Sequence, residues 1–162
     1  MKALSKERFM AWFQKYKHGL LLLYFLIYLP WFQYLEKKVT VHFNVIHMAI
    51  DDYIPFIEFF VIPYFLWFFY IAATMVYFFF HNTTDWYKLC AFLFTGMTVF
   101  LIFSTIYPNG QYLRPTTFAR DNFCVELVKW LYATDTPTNL FPSIHVYNSL
   151  GIHFAVMQNE QL

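Results

Sequence analysis

The chain has 162 residues, of which 59% are hydrophobic, 25% aromatic and only 13% charged, whereas a soluble globular domain carries about 25% charged residues. A net charge of +1 leaves no electrostatic case for nucleic acid or for a strongly acidic partner. Two widely separated cysteines, Cys90 and Cys124, cannot build a disulfide framework or a cysteine zinc site. What remains is an integral membrane protein rich in Phe and Tyr, rings that suit a bilayer and its interface.

The first apolar run covers residues 18–35 and follows a cationic tail holding Lys2, Lys6, Arg8, Lys15 and Lys17. A cleavable leader is the competing expectation, but no small-residue cleavage pattern follows, and the bulky Tyr28–Tyr34 stretch suits an interfacial belt. A second run, 54–80, exceeds the roughly 20 residues that cross a core of about 30 Å. Pro55, Glu58 and Pro63 lie in its first third, which places the span itself near 60–80. The third run, 89–106, is uncharged, and Gly96 with Thr95 and Thr98 permits close helix packing.

Lysine and arginine bias keeps the tail (residues 1–17) in the cytoplasm, so three crossings put residues 107–141 outside. Within that connection 121–133 has Phe123, Leu127, Val128 and Leu131 at helical spacing, with Asp121 as a candidate cap. Such a helix lies in the headgroup plane or packs on the membrane domain. In the last segment, about 143–158, the apolar residues 143–157 make only about 22 Å of helix at 1.5 Å per residue, followed by the polar run 158–162. That pattern fits a fourth span cut short. The expected fold class is therefore all-α: a polytopic transmembrane helical bundle with interfacial helices, forming a single membrane domain.

Chemistry concentrates at the start of that last segment. Ser143 and His145 follow Pro142 where a span meets outer water, and Arg114-Pro115 precedes them on the same side. A guanidinium binds phosphate oxygens through a planar fork. A helix starting at Ser143 would point free backbone N–H groups, Ile144 among them, at the same anion. An imidazole can then protonate a leaving group. The plainer alternatives are an interfacial arginine on lipid headgroups and an ordinary Pro-Ser helix start. Arg120 is a further candidate cation on the connection. His42, His47, Asp51 and Asp52 have only generic spacing, so no metal site is expected there; Asp51 and Asp52 read as a polar cap on the second span. Glu58 is a candidate partner for a cation, His81 and Asp85 belong to a short solvated turn, and His153 is expected to pack between helices.

Pro-Ser-x-His with an upstream Arg-Pro resembles the type 2 phosphatidic acid phosphatase (PAP2) superfamily, the lipid phosphate phosphatases and their relatives. The resemblance covers two of three motifs. It implies the N-terminal part of a six-helix membrane fold acting on a phospholipid or isoprenoid phosphate at the outer face of the plasma membrane. His145 would be the general acid; Arg114, Ser143 and Ile144 would hold the phosphate, with no metal or other cofactor. The family's first motif begins with a lysine where this chain has Tyr107, which brings a hydroxyl but no charge. The third motif, which carries the nucleophilic histidine of a phosphohistidine mechanism, has no match. Some relatives transfer a phosphoryl-linked headgroup instead of hydrolysing it, and a non-catalytic lipid-binding protein is the remaining alternative. On this resemblance the chain alone is expected to be inactive.

Overall fold

The computed structural model describes residues 2–39 and 42–159, so the end of the polar run, 160–162, lies outside the described residues. The described chain is mainly helical. Three stretches are long and apolar enough to cross a membrane: Lys6–Lys38, Glu58–His81 and Thr83–Ile106.

The first stretch joins α1 (Lys2–Tyr16), a 3-10 turn (Lys17–Tyr24) and α2 (Phe25–Lys38). The cationic tail is thus itself helical, as expected of a run without Gly or Pro before Gly19. Next come α3 (Val61–His81) and α4 (Thr83–Ile106). Only Asn82 separates them, and its side chain caps α4 by accepting from Asp85 N at 3.0 Å. Asp85 is not on a solvated turn. It sits in the first turn of α4 and accepts from Asn82 Nδ2 at 2.7 Å and Asn159 Nδ2 at 3.1 Å. At the same end His18 Nε2 donates to Phe79 O at 2.9 Å, and Trp86 Nε1 donates to His18 O at 3.1 Å, pinning the first stretch to the α3–α4 turn.

The central helix is α4, which packs against α2, α3 and α6 (Ile144–Met157). Trp86, Leu89, Cys90, Leu93, Met97, Phe100, Leu101 and Ser104 are its buried side chains. The small residue expected to allow close packing does so. A Cβ on Gly96 would stand 2.0 Å from Tyr147 Cε1 of α6, so only glycine admits that ring. Tyr147 also stacks on Phe92 with centroids 4.3 Å apart. His153 departs from expectation: its side chain is exposed on the outer surface of α6, because Asn148, Gly151 and Ile152 occupy the packed face.

Helix α5 (Phe123–Thr134) packs on the start of α3 through Val61, Cys124 and Val128, which decides for docking on the membrane domain. Its cap is Asn122, not Asp121; Asn122 Oδ1 accepts from Val125 N at 3.0 Å. Asp51 and Asp52 do not cap α3 either. They form a separate 3-10 turn at Asp51–Tyr53, where Asp52 pairs with His47 at 2.8 Å and Asp51 accepts from Met48 N at 2.9 Å.

At the end of the bundle away from the α3–α4 turn, the connections are stitched together by two short strands, β1 (Asn44–Val45) and β2 (Asn109–Gly110), paired in parallel. Gly110 also bridges Thr138. A Cβ at Gly110 would meet Pro137 O at 2.7 Å and the Phe43 ring at 2.9 Å. This close three-way approach needs glycine.

Candidate functional site

The loop leading into α6 reads Asp135-Thr136-Pro137-Thr138-Asn139-Leu140-Phe141-Pro142-Ser143. Its short polar side chains compete with the backbone for hydrogen bonds and favour turns over helix, so other elements must hold it. Asn109 does so from β2. It is fully buried, and its Oδ1 accepts from Leu140 N at 3.0 Å and Phe141 N at 2.9 Å. Its Nδ2 donates to Phe141 O at 2.8 Å and Tyr107 O at 3.1 Å. Glu36, near the end of α2, holds the other side. Its carboxylate accepts from Thr136 N at 3.3 Å, from Asn139 Nδ2 at 3.1 Å and from the Thr136 hydroxyl. Asn139 takes a left-handed φ of 55°, a conformation asparagine tolerates better than most residues.

Two hollows flank this loop. The outer cleft, about 710 Å³, is lined by Asp51, Asp52, Glu58, Tyr64, Arg114 and Tyr132 among others. The inner cavity, about 520 Å³, lies between α2, α3, α4 and α6. Phe25, Phe32, Phe68, Phe94 and Met97 form much of its wall; Glu36, Asp135, Asn139, His145 and Asn148 make its polar part. Tyr64 and Leu140 line both.

Arg114 stands in the outer cleft with its guanidinium 4.4 Å from the Tyr132 ring centroid. Nη1 donates to Asp135 O at 2.7 Å, and Nη2 lies 3.4 Å from Asp135 Oδ2. Asp135 lines the inner cavity, so this pair links the two hollows. Burial holds the Asp135 carboxyl above the ordinary carboxylate range; Glu36 adds to that rise and Arg114 opposes it. Arg114 is therefore stacked and aimed, with a carboxylate occupying part of its fork.

His145 lies in the first turn of α6 at the inner cavity, 4.4 Å from the Trp67 ring and 5.5 Å from that of Tyr64, centroid to centroid. Trp67 is held in place by donating through Nε1 to Ser149 Oγ at 2.8 Å. Ile144 lines the same cavity. Ser143 is the α6 cap, its Oγ 3.4 Å from Val146 N, and it lines neither hollow. Tyr107 ends α4 beside Phe103 and Phe141 and likewise faces neither. Arg120 pairs with the buried Glu58 at 3.3 Å, the kind of partner expected for that carboxylate, and Asn122 Nδ2 donates to it at 3.0 Å.

The fold thus brings His145 and Ile144 to one cavity and reaches Arg114 through Asp135, while Ser143, Tyr107 and Arg120 stand apart. Inspection of the sequence missed Asn109, Glu36, Asp135, Asn139 and Asn148. The available signals were Pro108-Asn109-Gly110, a turn tripeptide, and the dense short polar run before Phe141. Comparison with protein-family models, curated proteins and solved structures finds no match for this chain.

Proposed function

We propose that this membrane protein handles lipid phosphates in the manner of the PAP2 superfamily, with the phosphate near Arg114 and His145 and the hydrocarbon chain in the inner cavity. The observation that carries this is the position of His145: an imidazole at an aromatic cavity within the helical bundle, one ion pair away from a stacked arginine. An apolar chamber ending in a few polar groups is the usual form of a site for an amphiphile. Arginine is the cation best suited to a phosphate monoester.

Arg114 tests the phosphate half. Vanadate, a phosphate analogue, is expected to bind the purified protein and to lose roughly 10- to 100-fold in affinity in Arg114→Ala, the worth of a charge-assisted contact. An affinity unchanged within about threefold would remove Arg114 from the site. Asp135 competes with the anion for the same guanidinium, so Asp135→Asn is expected to bind vanadate more tightly. The raised carboxyl sets the sign with pH. As pH falls through that titration the ion pair is lost and Arg114 is freed, so wild-type affinity rises relative to Asp135→Asn, and the gap between them closes.

The same proposal puts the N-terminus in the cytoplasm and the loop holding Arg114 outside, at the plasma membrane. Cys124 is buried and makes a poor reporter, whereas Tyr112 is 72% exposed. Tyr112→Cys is expected to react with an impermeant maleimide added outside intact cells. Labelling only after permeabilisation would reverse the orientation.

A further inference from the structure

The end of the bundle at the α3–α4 turn carries charge that the site near Arg114 does not use. Residues 6–17 hold Lys6, Arg8, Lys15 and Lys17 against one carboxylate, Glu7, and the next carboxylate in the chain is Glu36. Among the described residues all four cations are exposed and none pairs with a carboxylate. Between them α1 exposes large apolar side chains, Phe9 at 63% and Trp12 at 58%, with Met10 and Phe13 beside them. These rings are tied to the bundle. Phe9 lies 6.3 Å from Trp12 and Trp12 5.6 Å from Tyr16, centroid to centroid, and Tyr16 stacks on Phe79 of α3 at 5.8 Å. Trp12, Phe13, Tyr16, Leu20, Phe79 and Phe80 thereby wall a groove of about 550 Å³, completed by Gly19.

Depth and charge select the occupant. Helix α3 has 21 residues, about 31 Å at 1.5 Å per residue, which matches a hydrocarbon core of about 30 Å. Phe79 and Phe80 in its last turns therefore mark the boundary between acyl chains and headgroups. The stretch Lys6–Lys38 has 33 residues and makes about 50 Å of helix, so with Tyr16 level with Phe79 its Lys6 end lies past that boundary. Lys15 and Lys17 stand at the rim of the groove. Lys15 Nζ is 5.3 Å from the Tyr16 ring centroid, and Lys17 follows Phe13 by four residues and precedes Leu20 by three, which makes them neighbours on the helix surface. Lysine stems lie along apolar surface with the ammonium among headgroups, where it attracts anionic lipid. A zwitterionic headgroup would bring its own ammonium to the same cations, so a net negative one fits better. We infer that this groove binds an anionic phospholipid, with its headgroup on Lys15 and Lys17 and an acyl chain against Trp12, Leu20 and Phe80. The site needs neither the chemistry at Arg114 nor a particular orientation of the chain across the membrane.

The probe is phosphatidylglycerol with brominated chains, compared with brominated phosphatidylcholine, on the protein reconstituted in phosphatidylcholine vesicles. Quenching at Trp12 is the difference between wild type and Trp12→Phe, a change on an exposed ring. A relative association constant at least about tenfold in favour of phosphatidylglycerol is expected, because each basic residue at an anionic headgroup contributes a factor of about five. Lys15→Gln with Lys17→Gln should bring that ratio to within about twofold of unity. Lys6→Gln with Arg8→Gln removes the same charge away from the groove and should keep most of the preference. Equal quenching of Trp12 by the two lipids, or a preference that survives loss of Lys15 and Lys17, would overturn the inference. So would a preference lost equally in both pairs, since only diffuse charge would then be at work. Displacement of the brominated phosphatidylglycerol from Trp12 by polyglutamate would assign the patch to an acidic polypeptide and overturn it too. Vanadate binding at Arg114, a full span away, is unaffected by any of these outcomes.

Discussion

Replacing Asn109 by leucine is expected to lower the unfolding midpoint of the detergent-solubilised protein by roughly 8–16 °C, taking about 2–4 °C per kcal/mol for a chain of this size. The amide makes four hydrogen bonds from a fully buried position, two to N–H groups and two to carbonyls. No other backbone partner serves Leu140 N or Phe141 N. Leucine would remove all four bonds while keeping the branched shape, and each buried group left unpaired costs about 1–3 kcal/mol. Even with part of the loop relaxing into water, a loss of about 4 kcal/mol remains. Asn109→Asp separates the terms: its carboxylate still accepts from Leu140 and Phe141 but cannot donate to Tyr107 and Phe141, so an intermediate midpoint is expected. Tyr112→Phe, on an exposed ring two residues past β2, should change nothing. A midpoint for Asn109→Leu within 2 °C of wild type would show that the loop into α6 is held by something else.

The spans were legible because their signal is local. Twenty or so apolar residues without charge admit few alternatives, and α3 and the end of α4 fall close to the expected 60–80 and 106, whereas α4 starts at Thr83, six residues before the uncharged run, because Asn82 caps it. The start of α6 at Ser143 was equally local, since serine after proline is both a cap and a helix opener. The failures involve partners distant in sequence. Asp121 and Asn122 are equally good caps on composition, and only the contact of Asn122 with Glu58, 64 residues away, selects between them. His153 was expected to pack inward, but α6 is turned by Tyr147 fitting over Gly96 and by Gly151 against Phe92, which leaves His153 outside. Arg114 stood out in the sequence as a candidate cation before Pro115. Its partner Asp135 was not, because a carboxylate 21 residues away with no periodic relation to it is invisible until the loop folds. The same holds for Glu36 and Asn139, 103 residues apart.

The largest functional effect concerns turnover by the 162-residue chain itself. Passage of a phosphoryl group through a phosphohistidine needs a nucleophile and an acid on opposite sides of phosphorus, so that bond making and bond breaking are in line. Among the described residues only one histidine, His145, lines either hollow at the outer end. His153 is two turns further along α6 and exposed. His18 is tied to Phe79 O and His81 to Tyr77 O beside the α3–α4 turn, His47 is paired with Asp52 outside the bundle, and His42 is exposed and lines neither hollow. None can face His145 across a phosphate. On the proposed reading His145 is the acid and Arg114 the cation, and such a site, with no nucleophile among the described residues, keeps only the residual rate that binding and electrostatics provide. The purified 162-residue protein is therefore expected to release no phosphate above background from phosphatidic acid or a prenyl pyrophosphate, while still binding vanadate at Arg114. Supplying a nucleophile in trans tests the proposal from the other side. If a polypeptide carrying a nucleophilic histidine completes the site, phosphate release should appear and should vanish again in His145→Ala, where the leaving alcohol has no proton donor. Metal-independent hydrolysis by the 162-residue chain, undiminished in His145→Ala, would mean that the chemistry lies with other residues and that His145 serves only as part of the cavity wall.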